Sequence, residues 1–173
     1  PGSVLAACEK RFGKDWLQFR KSKDGHRQVR LKTLDEFRGK VEEPDKFLMI
    51  ENEEITGKCG DRQVHLNAVN LGELIQPQKG KTVLETLRLD LQAVEAQSRR
   101  LNRPILAQVN HPNWAHYDIQ PEEVARATAA RFLEACNASG GTNHDGDKDH
   151  PGMERFWDIV NAMRLGEMKT QPV

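Results

Sequence analysis

Between Thr82 and Arg100, Leu84, Leu87, Leu91 and Val94 recur at three- and four-residue steps, and the opposite face is charged. That spacing predicts an amphipathic helix. Thr82 followed three residues later by Glu85 adds a capping box at its start. On either side stand apolar runs too short for helices: KFLMI (46–50) and QVHLNAV (63–69) before, PILAQVN (104–110) and RFLEACN (131–137) after. Short apolar runs alternating with amphipathic helices constrain the chain to an α/β fold built on a parallel sheet, either a barrel or doubly wound. Two more helices are predicted, one starting at Pro121-Glu122-Glu123 and one at Pro151, where Phe156, Ile159, Val160 and Met163 share a face.

The N-terminal part reads differently. A short helix over 3–12 ends at Gly13, and a hairpin over 14–32 turns at Asp24-Gly25. Thr33 and Glu36 then open a helix with Leu34, Phe37 and Val41 on one face, stopped by Pro44. An eight-fold β/α barrel takes about 250 residues, and this chain has 173. If the parent fold is a closed barrel, the chain is therefore expected to hold only a partial one; the doubly wound alternative stays open. The chain is read as one domain over 1–173, with residues 1–45 preceding a β/α segment at 46–165. The chain is also expected to be an internal piece of something longer.

Composition removes several classes. Lys+Arg and Asp+Glu both number 26 and the net charge is zero, which argues against a basic nucleic-acid module. No apolar run approaches the ~20 residues that span a bilayer. The opening PGSVLAACEKRFG has neither the basic nor the long apolar region of a signal peptide. Cys8, Cys59 and Cys136 are odd in number and widely spaced, so they are read as unpaired thiols. Neither nucleic acid nor membrane is expected as a partner. P-loop, dinucleotide-binding and G-x-S-x-G patterns are absent.

In parallel α/β folds, functional groups collect where strands end. Here those positions hold Glu51, Glu53 and Glu54 after KFLMI, His65 within QVHLNAV, His111 after ILAQVN, and Asn137 after RFLEAC. Glutamate and histidine from neighbouring strands have the composition of a metal site, and mixed oxygen and imidazole ligands suit Mn, Fe or Zn. Trp114, just beyond, either walls a substrate pocket or covers one end of the barrel. The loop carrying His144, Asp145, Asp147, Asp149 and His150 fails as a calcium loop. Its sixth position is His150 where Gly is needed, and its twelfth is Phe156 where Glu is needed. It is read as a polar surface loop.

The strings E-E-I-T (53–56), H-L-N-A-V-N (65–70), I-L-A-Q-V-N-H-P-N (105–113), F-L-E-A-C-N (132–137) and H-P-G-M-E-R-F-W-D-I-V (150–160) together resemble the PHP (polymerase and histidinol phosphatase) superfamily, over roughly residues 46–165. The resemblance implies a partial, distorted β/α barrel, incomplete at both ends, and a metal-dependent phosphoesterase. It implies Glu54 as a bridging metal ligand, with Glu53 as the one-residue alternative, and His65 and His111 as further ligands. Asn110, Asn137 and Trp114, with Glu53, are expected beside the ligands or facing substrate, which would be a small phosphate ester. The family's H-x-H, D-H and D-x-H pairs are not at their expected places, and no H-x-H occurs anywhere in the chain. The competing expectation is a non-catalytic α/β domain with an incomplete metal site.

Overall fold

A computed structural model describes residues 2–114, 116–140, 142–169 and 171–173. The chain divides into two compact units, residues 1–49 and 50–173, where the sequence suggests one domain whose N-terminal region stops at 45.

The first unit contains helix α1 (Gly2–Phe12), a two-stranded antiparallel ribbon of β1 (Phe19–Lys21) and β2 (Arg27–Val29), and helix α2 (Leu34–Val41). The α2 capping box forms as the sequence predicts: Glu36 Oε2 accepts from the Thr33 backbone N–H at 2.8 Å. KFLMI makes no strand. Only Phe47 pairs, in an isolated bridge to Glu43.

The second unit is built on a four-stranded sheet in the order β3 (Asn52–Cys59), β4 (Arg62–Val69), β5 (Leu106–Val109), β6 (Phe132–Leu133). Helices α3 (Val83–Leu101), α4 (Pro121–Arg126) and α5 (Met153–Ala162) complete it. The unit is mixed α/β, but the expected parallel ladder does not form. β3–β4 and β4–β5 are antiparallel, and only β5–β6 is parallel. The cause is local. Cys59 pairs with Arg62 across Gly60-Asp61, and Gly60 sits at φ 61. A two-residue turn closes an antiparallel hairpin, whereas a parallel crossover needs a dozen residues or more. No closed barrel is present among the described residues, and RFLEACN contributes only two residues of strand.

One face of the sheet is apolar. Ile55, Val64, Leu66, Ala68 and Val109 are buried there with Leu87, Leu91 and Val94 of α3 in the same core. The helix also holds the segment that leads into it. Thr86, Asp90 and Gln97 are buried. Their side chains accept from the backbone N–H groups of Gly80 (3.1 Å), Gln78 (2.8 Å) and Gly72 (2.9 Å). A Cβ on Gly80 would lie 2.4 Å from Thr86 N, so only glycine permits that approach.

Beyond α5 the helix widens into one turn, Met163–Glu167, closed by Met168 N–H on Met163 O. Arg164 in that turn is fully buried. Its guanidinium donates to the carbonyls of Val124, Ala125, Ala127 and Ala130 at 2.7–3.2 Å. These carbonyls lie at the C-terminal end of α4 and in the turn after it, where Val124 O and Ala127 O also accept from the backbone N–H groups of Ala127 and Ala130. Burial pulls the Arg164 pKa down, and the carbonyl dipoles keep the cation tolerable. Removing the fork strips donors from several carbonyls at once. Arg164→Met is expected to cost about 2–4 kcal/mol in urea unfolding.

Asp90 has the opposite character. Its Oδ2 is buried without a partner, and burial pushes its carboxyl up to about 6, against the lowering bond from Gln78 N–H. The unfolded chain releases this proton first, so Asp90 weakens the fold as pH rises from the ordinary 3.8 through about 6. Asp90→Asn is expected to raise stability by roughly 1–3 kcal/mol at pH 7.5 and to leave it nearly unchanged at pH 3.5. Thermal melts at the two values check this.

Candidate metal centre

The sheet's second face carries the site. In a strand, alternate side chains point to opposite faces. With Ile55, Val64 and Leu66 turned into the core, Glu54, His65 and Asn67 must face the other way. The register places Glu54 opposite Asn67 and Thr56 opposite His65. The ladder runs one step past β5, where Asn110 N–H donates to His65 O at 3.1 Å, and one step past β6, where Glu134 N–H donates to Val109 O at 2.9 Å. His111 and Glu134 therefore emerge side by side at adjacent strand ends.

Among the described residues, Glu54, His65 and His111 form the one group of three ligand-type side chains with donor atoms within 4.8 Å of one another. His65 Nδ1 lies 2.9 Å from His111 Nε2, Glu54 Oε1 lies 3.6 Å from that Nδ1, and the same oxygen lies 3.7 Å from that Nε2. A point equidistant from the three corners of this triangle is about 2.0 Å from each, within the ~2.0–2.2 Å range of imidazole and carboxylate bonds to zinc. The residues thus fit a divalent cation. The histidine side chains are 16% and 12% exposed and that of Glu54 is 44% exposed, so two donors are enclosed and the third side is open to solvent.

The surrounding groups hold the donors in place. Asn110, itself buried, donates from Nδ2 to Glu54 Oε1 at 3.1 Å. Trp114 lies over His111 with ring centroids 5.0 Å apart. Asn137 Nδ2 donates to Glu134 Oε1 at 3.1 Å. Glu134 Oε2 in turn accepts from His111 N–H at 2.5 Å and lies 3.1 Å from His111 Nδ1. Burial lowers the His65 pKa, and the neighbouring His111 adds to that. Glu54 and the buried Asp118 act in the opposite sense. The His65 Nε2 is buried with no hydrogen-bond partner.

The structure separates the two candidate glutamates. Glu53 pairs with the core residue Ala68, and its Oε2 accepts from Ile75 N–H at 2.8 Å. One residue along a strand is one face away, so Glu53 ties down the 71–75 loop and takes no place in the site. Glu134 is the residue that sequence reading missed. Reading 131–137 as a single strand put its end at Asn137, whereas the strand stops at Leu133 and Glu134 is the first residue beyond it. The acidic loop is closed on itself: Asp147 accepts from the backbone N–H groups of Asp149 and His150 and from Asn143 Nδ2. His26 and His116 are exposed. No helix among the described residues is long and apolar enough to cross a membrane.

No protein-family model, curated protein or solved structure matches the chain.

Because the folded pKa of His65 is lowered, the unfolded chain takes up this proton first as pH falls. The stability contribution of His65 is present above pH 6.5 and is lost below it. Glu54→Gln removes a charge that favours the imidazolium, so the His65 pKa is expected to fall further. An NMR titration of the His65 ring protons reads this directly, and an unchanged or raised value would contradict the electrostatics described.

Proposed function

We propose that this chain carries a divalent-cation site of the PHP type, serving hydrolysis of a small phosphate ester, on a sheet that is one wall of a partial, distorted β/α barrel. What supports the reading is the donor triangle: one carboxylate and two imidazoles, from β3, β4 and the segment just past β5, spaced to share one ion. Mn, Fe or Zn suits that mixed ligand set. When bound, such a cation lowers the pKa of a coordinated water and stabilises charge on a phosphoryl oxygen.

The chain's own residues supply the rest. Glu54, His65 and His111 hold the ion. Asn110 fixes which Glu54 oxygen faces inward. The open side beyond Glu54 admits solvent and substrate, and Trp114 lines it beside His111.

A second reading, a non-catalytic domain that binds metal without turnover, is favoured by one observation: three donors suit a single ion, and the sequence has no H-x-H to bring a second. Elemental analysis of protein purified without chelator is expected to find about one Mn, Fe or Zn per chain, and close to none in His111→Ala. Equal metal in both sinks the ligand assignment. With Mn²⁺ added, hydrolysis of an aryl phosphate that falls at least about a hundredfold in Glu54→Ala upholds the hydrolase. Metal without turnover upholds the binding domain.

A further inference from the structure

We infer that Glu134 is a positioning residue that sets the tautomer of His111 and so turns its Nε2 lone pair toward the donor triangle. The inference rests on the proposed cation and adds a residue to its site.

A neutral imidazole has one N–H and one lone pair, and the partner of one nitrogen decides the state of the other. Glu134 Oε2 lies 3.1 Å from His111 Nδ1 and takes the backbone N–H of the same residue at 2.5 Å. An ionised carboxylate only accepts, so Nδ1 carries the hydrogen. Nε2 is then bare, and it is the atom 2.9 Å from His65 Nδ1 and 3.7 Å from Glu54 Oε1.

The carboxylate cannot swing away easily. Its other oxygen accepts from Asn137 Nδ2 at 3.1 Å. Asn137 is anchored in turn, since its Oδ1 accepts from Ser139 N–H and its carbonyl from Thr142 Oγ1. Without Glu134, the polar group left near His111 Nδ1 is the Asn137 amide, 3.5 Å away and a donor. That neighbour favours a bare Nδ1 and moves the hydrogen to Nε2, into the centre of the triangle. Carboxylates placed behind metal-binding imidazoles act this way generally, and their loss weakens metal binding about 10–100-fold.

Long-range ¹H–¹⁵N NMR on the metal-free protein at pH 7.5 is expected to show His111 protonated at Nδ1 in the wild type and at Nε2 in Glu134→Ala. Zn²⁺ titration calorimetry is expected to order the affinities as wild type, then Glu134→Gln, then Glu134→Ala, with about a 10–100-fold span. A wild-type His111 protonated at Nε2 overturns the inference without any metal present, and so does a Glu134→Ala affinity within about threefold of wild type. If the wild type binds no Zn²⁺ while its His111 is protonated at Nδ1, the cation reading fails and the hold of Glu134 on the ring stands. A Glu134→Ala chain that fails to fold leaves the wild-type tautomer and the Glu134→Gln affinity to decide.

Discussion

The burial of one sheet face beneath α3 governs the rest of the second unit. Ile55, Val64, Leu66, Ala68 and Val109 remove their side chains from water on that side. Each of the larger ones, Ile55, Val64, Leu66 and Val109, contributes roughly 1.5–3 kcal/mol when fully buried. A strand has only two faces, so the same act presents Glu54, His65 and Asn67 on the other. The donor triangle is therefore positioned by hydrophobic packing. The 2.9 Å contact between His65 Nδ1 and His111 Nε2 and the nearby Glu54 carboxylate add to an alignment that the sheet supplies.

The helices and turns were largely legible because their signals are local. Thr33 with Glu36, Thr82 with Glu85, and Pro121 with its acids each mark a helix start within four residues, and the Asp24-Gly25 ribbon is equally short-range. Strand direction was not legible from apolar alternation, which carries no directional signal; for β3–β4 it is set by the short connection. The deciding signal was the Gly60-Asp61 pair, which sits inside what reads as one long polar stretch after an apolar run. KFLMI illustrates the reverse error: five apolar residues have the composition of a buried strand, yet Phe47, Leu48 and Ile50 are exposed.

For the site, residue type and proximity to apolar runs brought forward Glu54, His65 and His111, although Glu54 and His65 lie inside β3 and β4 and not at strand ends. Those signals could not distinguish Glu54 from Glu53, which requires knowing the phase of the strand, and they passed over Glu134, which requires knowing where a two-residue strand stops. Asn110, Asn137 and Trp114 do lie against the donors or their supports. Arg164 gave no sign of its role. A lone arginine near a helix end looks like any solvated cation until the carbonyls of Val124, Ala125, Ala127 and Ala130 are seen around it.

The tight Gly60-Asp61 connection makes the chain unequally tolerant of changes in length. A residue added there would slide one strand past the other and exchange the sides on which its oily and polar groups appear. Interior and donor triangle would be lost together. The described residues from 143 to 150 contribute no strand to the four-stranded sheet, so changes of length there leave its strand pairing intact. Over evolutionary time, novelty around the candidate site is therefore expected to accumulate in that stretch, while the hairpin keeps its residue count.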